Sequence, residues 1–341
     1  MPTKIVVTDY LEPNFDWEQQ ELRRQGFDFA WQSHQLKQAG EDELVAAIGD
    51  AEVVVVNMAR LTAGVLDRLP RAKLIIRHGI GYDNVDLAAA TGRGLRLANV
   101  PDYCPDEVAE QTWLLIFAAA RHLPEQLVSM AASSAKGAWD FSSVRPVHLM
   151  NGRTLGIVGC GRIGSRVLKM AAGLGMTVLV CDPYLSAQRR RELGVETVPL
   201  ERVLREADVV TLHTPLTDET RGLINRRTLT LMKRTAVLVN TARGGLVVDE
   251  ELARALQDGL IAGAALDVYT REPPGREHPF FVAPNLLLTP HLAWYSEESG
   301  WSIRKKILED IILFLEGRPP RFTVNEDVEK VLGAGRAYRE L

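Results

Sequence analysis

Three ionisable residues in the second half of the chain raise the question of what chemistry it performs. Arg243 lies in "NTARGG", Glu272 in "YTREPP" and His291 in "LLLTPH". Each follows a short apolar or β-branched run that reads as a buried strand, and parallel sheets bind ligands beyond the carboxyl ends of their strands. A planar guanidinium holds a carboxylate through two parallel hydrogen bonds. An imidazole titrates in the range needed to take a hydroxyl proton and return it. A carboxylate beside that imidazole fixes its orientation and favours the imidazolium. Together they suit redox chemistry at a hydroxyl-bearing carbon next to a carboxylate. Singly, each has a plainer reading: a capped strand-end histidine, a loop-anchoring arginine, a glutamate closing a turn before Pro273-Pro274. His213 in "LHTPLT" and His78 in "RHGIGYDN" also end strands and stand as competing bases. The glycines after His78 suggest exposed backbone N–H groups able to bind an anion.

Such chemistry needs a hydride carrier, and one stretch provides a place for it. In "TLGIVGCGRIGSRVLKMAAGLGMTVLVCDP" the pattern Gly159-x-Gly161-x-x-Gly164 leaves a strand and opens a helix, and Asp182 closes the next strand. Three glycines alone are weak evidence, but here the whole βαβ context is present. Gly159 permits the tight turn, Gly161 lets backbone approach a pyrophosphate, and Gly164 lets helix pack on strand. The helix amino end adds unpaired N–H groups and a positive dipole end. Asp182 is placed to accept from ribose hydroxyls and to repel a 2′-phosphate, favouring NAD over NADP. "QRRR" at 188–191 lies near enough to neutralise such a phosphate, although a solvated helix face is the simpler account. Cys160, inside the turn, reads as a small packing residue.

The elements that position these groups are legible as apolar strand runs separated by amphipathic stretches. Strands are expected at 4–9, 52–57, 72–77 and 95–100, with helices near 17–25, 41–49, 62–69 and 86–91. A second series is expected at 154–159, 177–182, 208–213, 235–240, 261–268 and 286–291. Near-continuous apolar strands between helices indicate parallel sheets covered on both faces, hence two doubly wound α/β units. Long helices at 105–121 and 295–317 flank the second series and suit crossings between units. The last segment, 318–341, most simply returns to the first unit.

Composition bounds the alternatives. At 341 residues, two domains are the default. Forty basic against forty-four acidic residues give a net charge of −4, no field for nucleic acid or an anionic membrane. The 3 cysteines lack paired or metal-ligand spacing, so no metal is expected and a reducing compartment is. With no signal pattern and no membrane-length apolar run, the sequence points to a soluble cytoplasmic protein.

From about residue 50 to 325 the chain resembles the D-isomer-specific 2-hydroxyacid dehydrogenases. The carriers are "GIGYDNVDL" (79–87), "GCGRIG" (159–164), "HTPLTDETRGLI" (213–224), "VNTARGGLVVDEELARAL" (239–256), "AALDVYTREPP" (264–274) and "TPHLAW" (289–294). The resemblance implies Rossmann-like and flavodoxin-like domains separated by a cleft: a discontinuous substrate domain of 1–100 plus 292–341 and an NAD domain of 101–291. It implies Arg243, Glu272 and His291 as the catalytic set. Cofactor contacts would fall on Gly159, Gly161, Arg162, Ile163, Gly164, Asp182, Thr214, Pro215, Thr220, Thr241, Ala242 and Asp267, the last orienting the nicotinamide carboxamide. The substrate carboxylate loop would fall on Gly79, Ile80 and Gly81, beside Arg243. A homodimer is implied, with the long helices and the 122–150 segment at its interface. His291 would sit at a hinge, so that domain closure completes the site.

Near 289–298 the chain also resembles the branch containing the C-terminal-binding protein corepressors, whose tryptophan at the position of Trp294 faces a 2-keto acid side chain. Tyr103 matches a pocket tyrosine of some lactate-type members, or packs at a helix entry. Two functions follow. One is an NAD-dependent enzyme reducing a small 2-keto acid such as glyoxylate, hydroxypyruvate or pyruvate to the D-2-hydroxy acid. The other is an NAD(H)-gated dimeric module that binds protein partners.

Overall fold

Val53–Val56 and Gly263–Leu266 carry no polar alternate on the strand, so both faces need cover. The computed structural model, which describes residues 1–333, supplies that cover twice. One unit is formed by Met1–Tyr103 and the segment from Ser296 onward, the other by Cys104–Tyr295.

In the discontinuous unit the strands are β1 (Thr3–Val7), β2 (Phe29–Ser33), β3 (Val53–Val56), β4 (Leu74–Arg77) and β5 (Arg96–Ala98). They pair in parallel in the order β2-β1-β3-β4-β5. Successive side chains leave a strand on opposite faces. Thus Val6, Val54, Ile75 and Leu97 build one core, while Ile5, Val55 and Ile76 meet Ile303, Ile307 and Ile311 on the other. Those isoleucines belong to the helix Glu297–Leu315, which opens at a reciprocal cap between Ser296 and Ser299. Beyond it the chain returns along β5. Val324 N–H donates to Leu97 O at 2.7 Å, and the Asn325 side chain takes the Leu97 N–H at 2.8 Å. Sequence reading missed β2. Its Phe-Ala-Trp-Gln-Ser run sits at the sheet edge, with no residue fully buried, so no apolar stretch announces it.

The contiguous unit holds β6 (Thr154–Val158), β7 (Thr177–Cys181), β8 (Val209–Leu212), β9 (Val237–Asn240), β10 (Gly263–Leu266) and β11 (Leu286–Leu288). All are parallel, in the order β11-β10-β9-β8-β6-β7, and Thr197 adds a single bridge outside β7 at Val180. The strand order therefore reverses between β6 and β8, the switch point at which an open α/β sheet leaves a crevice. The helices Arg162–Ala172 and Pro105–Ala120 cover one face through Val167, Ala171, Trp113 and Ile116. Leu204, Leu252 and Leu256 cover the other. Among the described residues no helix is long and apolar enough to cross a membrane.

Candidate active site

The glycine turn leaves β6 at the switch point. Gly159 has φ +88°, and a Cβ there would lie 2.7 Å from the carbonyl carbon and oxygen of His213. Only glycine satisfies both the left-handed backbone and that approach. A Cβ at Gly164 would collide with the Gly159 carbonyl oxygen, so the helix can lie on the turn only without one. Gly161 differs: no atom lies within 4 Å of its absent Cβ. It opens the helix Arg162–Ala172 with no side chain capping it. An uncapped amino end facing open space beside a bare glycine fits the phosphates of a dinucleotide. Arg162 is exposed and Ile163 half-buried on the first turn.

Asp182, at the end of β7, is tied to this turn. Its Oδ2 accepts the Cys160 N–H at 2.8 Å and its Oδ1 accepts the Tyr184 N–H at 3.0 Å. Burial pushes the Cys160 thiol up to about 11, with the Asp182 charge adding to it, so the sulfur stays protonated and packs. After β8, Thr220 Oγ1 donates to Pro215 O at 2.7 Å and accepts the Thr217 N–H at 2.8 Å, which holds the Thr214-Pro215 turn in shape.

The three candidate catalytic groups arise on loops after β9, β10 and β11. Asn240, fully buried, orders the first. Its Nδ2 donates to Arg243 O at 2.8 Å and its Oδ1 accepts the Ala242 N–H at 3.0 Å. Thr241 is anchored through a 2.8 Å contact between its hydroxyl and that of Thr112. Arg243 Nη1 donates to Ala242 O at 2.7 Å. A Cβ at Gly244 would overlap the Tyr269 carbonyl, so this glycine lets the arginine loop lie directly on the loop that carries Glu272.

Glu272 Oε1 accepts the Tyr269 N–H at 3.1 Å, and its Oε2 lies 2.6 Å from His291 Nδ1. Burial would raise the Glu272 carboxyl, but the His291 hydrogen bond and charge, the Tyr269 N–H and the Arg243 charge outweigh it and hold the carboxyl below its usual value. With Glu272 ionised, the proton of this bond belongs on Nδ1. Among the described residues Nε2 then has no partner, and the ring is about one-third exposed. The arrangement is that of an imidazole oriented by a carboxylate and free to exchange a proton at its far nitrogen.

The backbone beneath it is unusual. His291 has φ +53°, a conformation that side-chain-bearing residues rarely adopt. The fully buried Asp267 holds it there. Its Oδ1 accepts from Thr289 Oγ1 at 2.5 Å and from Leu292 N–H at 3.0 Å, and its Oδ2 accepts the Ala293 N–H at 2.8 Å. Sequence reading named Asp267 for the cofactor and passed over this structural duty, as it passed over Asn240. The only signal for either is a polar residue at the end of an otherwise apolar strand. Trp294 follows in the same turn, stacked edge-on against Tyr295 with ring centroids 5.3 Å apart.

The competing histidines are otherwise engaged. His213 Nε2 lies 3.0 Å from Thr211 Oγ1, and burial pushes the imidazole down to about 3. In the discontinuous unit, His78 Nε2 is 2.7 Å from Glu12 Oε1. The loop after it has its carbonyls occupied. Gly79 O accepts the Val100 N–H at 3.0 Å and Ile80 O accepts Asn99 Nδ2 at 2.6 Å, while the Ile80 and Gly81 N–H groups donate to nothing among the described residues. The Arg77 guanidinium packs against Gly79 and donates to His78 O. Tyr103 packs against the Ile303–Phe314 core of its own unit. Among the described residues no group of acidic, histidine or cysteine side chains could hold a metal ion.

Sheet order, glycine turn and strand-end carboxylate define a dinucleotide-binding α/β protein. Residues 113–293 match the model of the D-isomer specific 2-hydroxyacid dehydrogenase NAD binding domain. A glyoxylate reductase of Korarchaeum cryptofilum is 39% identical over 81% of this chain and 82% of its own. A D-3-phosphoglycerate dehydrogenase of Methanocaldococcus jannaschii is 39% identical over 84% of this chain, which spans only 54% of that longer relative. Among solved structures, D-lactate dehydrogenase of Aquifex aeolicus, complexed with NAD and lactic acid, superposes with a TM-score of 0.81. It is 29% identical, with 92% of this chain and 96% of that one covered. The chain belongs to the D-isomer-specific 2-hydroxyacid dehydrogenase family, whose members here are oxidoreductases acting on 2-hydroxy acids.

Proposed function

We propose that the protein is an NAD-dependent dehydrogenase that reduces a small 2-keto acid of the glyoxylate, hydroxypyruvate or pyruvate type to its D-2-hydroxy acid. The observation that carries this reading is the 2.6 Å contact of Glu272 with His291 Nδ1, which leaves Nε2 open. A nicotinamide bound on the glycine turn supplies the hydride. In the chain's own part, Arg243 grips the substrate carboxylate and carbonyl oxygen with its planar fork, and the bare Ile80 and Gly81 amides of the discontinuous unit are of the kind that binds an anion. His291 gives its Nε2 proton to the carbonyl oxygen as negative charge grows there, and Glu272 stabilises the imidazolium before transfer. Asp182 accepts the ribose hydroxyls, and Asp267 accepts from the carboxamide while it holds the turn. Trp294 bounds the pocket on the side-chain flank of the substrate.

The test is to offer purified protein NADH with a panel of 2-keto acids and to follow cofactor absorbance. Oxidation of NADH with glyoxylate, hydroxypyruvate or pyruvate, and a product of D configuration, is expected. NADH binding without turnover on the whole panel would overturn the enzyme reading and leave a cofactor-gated binding module.

We further propose a homodimer. The stretch from helix Pro105–Ala120 through Leu149 leaves Leu114, Leu127, Val128, Trp139 and Leu149 more than half exposed, a run of apolar surface that soluble chains seldom leave uncovered. Light scattering should give twice the chain mass, and Val128→Asp should shift it toward one chain.

A further inference from the structure

Resting on the cofactor reading above, one contact at the adenosine end has a consequence for which dinucleotide is chosen. β6 lies between β8 and β7, so a link from the loop after β7 to the loop after β8 must pass over the end of β6, where the glycine turn sits. Such a link exists: Tyr184 Oη donates to Glu219 Oε2 at 2.6 Å. Both ends are braced. Tyr184 N–H is bonded to the Asp182 carboxylate at 3.0 Å, and the loop of Glu219 is pinned by the bond from Thr220 Oγ1 to Pro215 O at 2.7 Å.

We propose that Glu219, held in place by Tyr184, is a specificity-determining residue that acts with Asp182 against a 2′-phosphate on the ribose. Asp182 rises from one side of the glycine turn and Glu219 is drawn over from the other, so the ribose end meets two carboxylates. A 2′-phosphate, carrying close to two negative charges, is repelled by both, whereas ribose hydroxyls can donate to either. In the basic stretch 188–191, the arginine nearest the turn is partly neutralised. Arg189 Nη1, whose charge reaches the turn, is bonded to Glu192 Oε2 at 2.9 Å within its own helix. Tyr184 is a positioning residue: its effect runs through the carboxylate it holds.

The test is the equilibrium Kd of NADH and of NADPH, by fluorescence titration without substrate, for the parent protein, Glu219→Gln, Tyr184→Phe and the double variant. Both sites are exposed, so the fold should survive, and an unchanged melting temperature checks it. Glutamine keeps the hydrogen bond to Tyr184 and removes the charge. Glu219→Gln should tighten NADPH about 5–10-fold and leave NADH within about twofold, the scale expected of one partly screened charge. Tyr184→Phe should move NADPH in the same direction by less, and the double variant should match Glu219→Gln alone. An NADPH-to-NADH ratio unmoved by Glu219→Gln would overturn the proposal, and so would a double variant that exceeds the single one. Failure of the parent protein to bind NADH at all would instead sink the cofactor reading and is thereby distinguished.

Discussion

Two carboxyl ends of the same sheet carry a histidine beside a Thr-Pro pair, in opposite order. After β8 the sequence is His213-Thr214-Pro215, and after β11 it is Thr289-Pro290-His291. In the first, histidine extends the strand: its N–H continues the ladder to Val158 O at 2.7 Å, and its Nε2 turns back to Thr211 Oγ1 at 3.0 Å. With its pKa pushed down to about 3 by burial, that imidazole is neutral near pH 7 and offers no imidazolium proton. In the second, proline ends the ladder before the histidine, Asp267 folds the next peptides over, and the ring turns to Glu272 with Nε2 open. Residue type and strand-end position are common to both. Which side of the proline the histidine takes decides whether its ring turns to its own strand or to a carboxylate on the neighbouring loop.

The largest expected effect breaks the comparison most directly. His291→Ala should lower kcat for keto-acid reduction by about 10²–10⁴-fold, the usual range for losing a general acid, with NADH affinity near normal. His213→Asn should cost no more than about tenfold, since an uncharged packing group moves no proton. Equal losses, or the reverse order, would mean that the two strand ends are not distinguished as described. Glu272→Gln comes next, with a fall of about 10–100-fold. Because the ionised carboxylate orients the ring, the loss should fall on kcat, with NADH affinity near normal. An undiminished kcat would leave Glu272 a purely structural partner.

The same pair of strand ends shows what a sequence can and cannot disclose. The glycine turn was readable because two of its glycines, Gly159 and Gly164, each record a side chain that the chain's own backbone excludes. Interior strands were readable because burial on two faces leaves an unbroken apolar run. β2 was not, because an edge strand needs neither. Asn240 also escaped, as did the turn-holding duty of Asp267. What makes them matter is the set of backbone donors they collect, and for Asp267 these lie 25 and 26 residues further along the chain. The choice among three strand-end histidines could not be settled locally either, since it turns on partners such as Glu12, 66 residues from His78.

That last pair gives the prediction with the smallest effect on turnover. Glu12–His78 and Glu272–His291 are nearly equal in length, 2.7 and 2.6 Å, yet the first is almost wholly buried and the second about one-third open at the ring. A sealed pair holds structure. Burial alone would raise the Glu12 carboxyl, but the His78 hydrogen bond and charge, with local backbone N–H groups, bring it down to about 2. A carboxyl lowered by folding contributes stability that is fully present above its unfolded value near 4.5 and is lost as pH falls toward 2. At neutral pH Glu12→Gln should therefore cost about 3–4 kcal/mol in chemical denaturation, from a shift worth about 1.4 kcal/mol per unit. The gap to the parent should close as pH drops through that window, while kcat/KM measured on folded protein stays within about threefold, because no proton in flight crosses this pair. If Glu12→Gln instead lost activity as Glu272→Gln does, with stability intact, the two carboxylate–histidine pairs would have exchanged roles and the open nitrogen would not be what separates them.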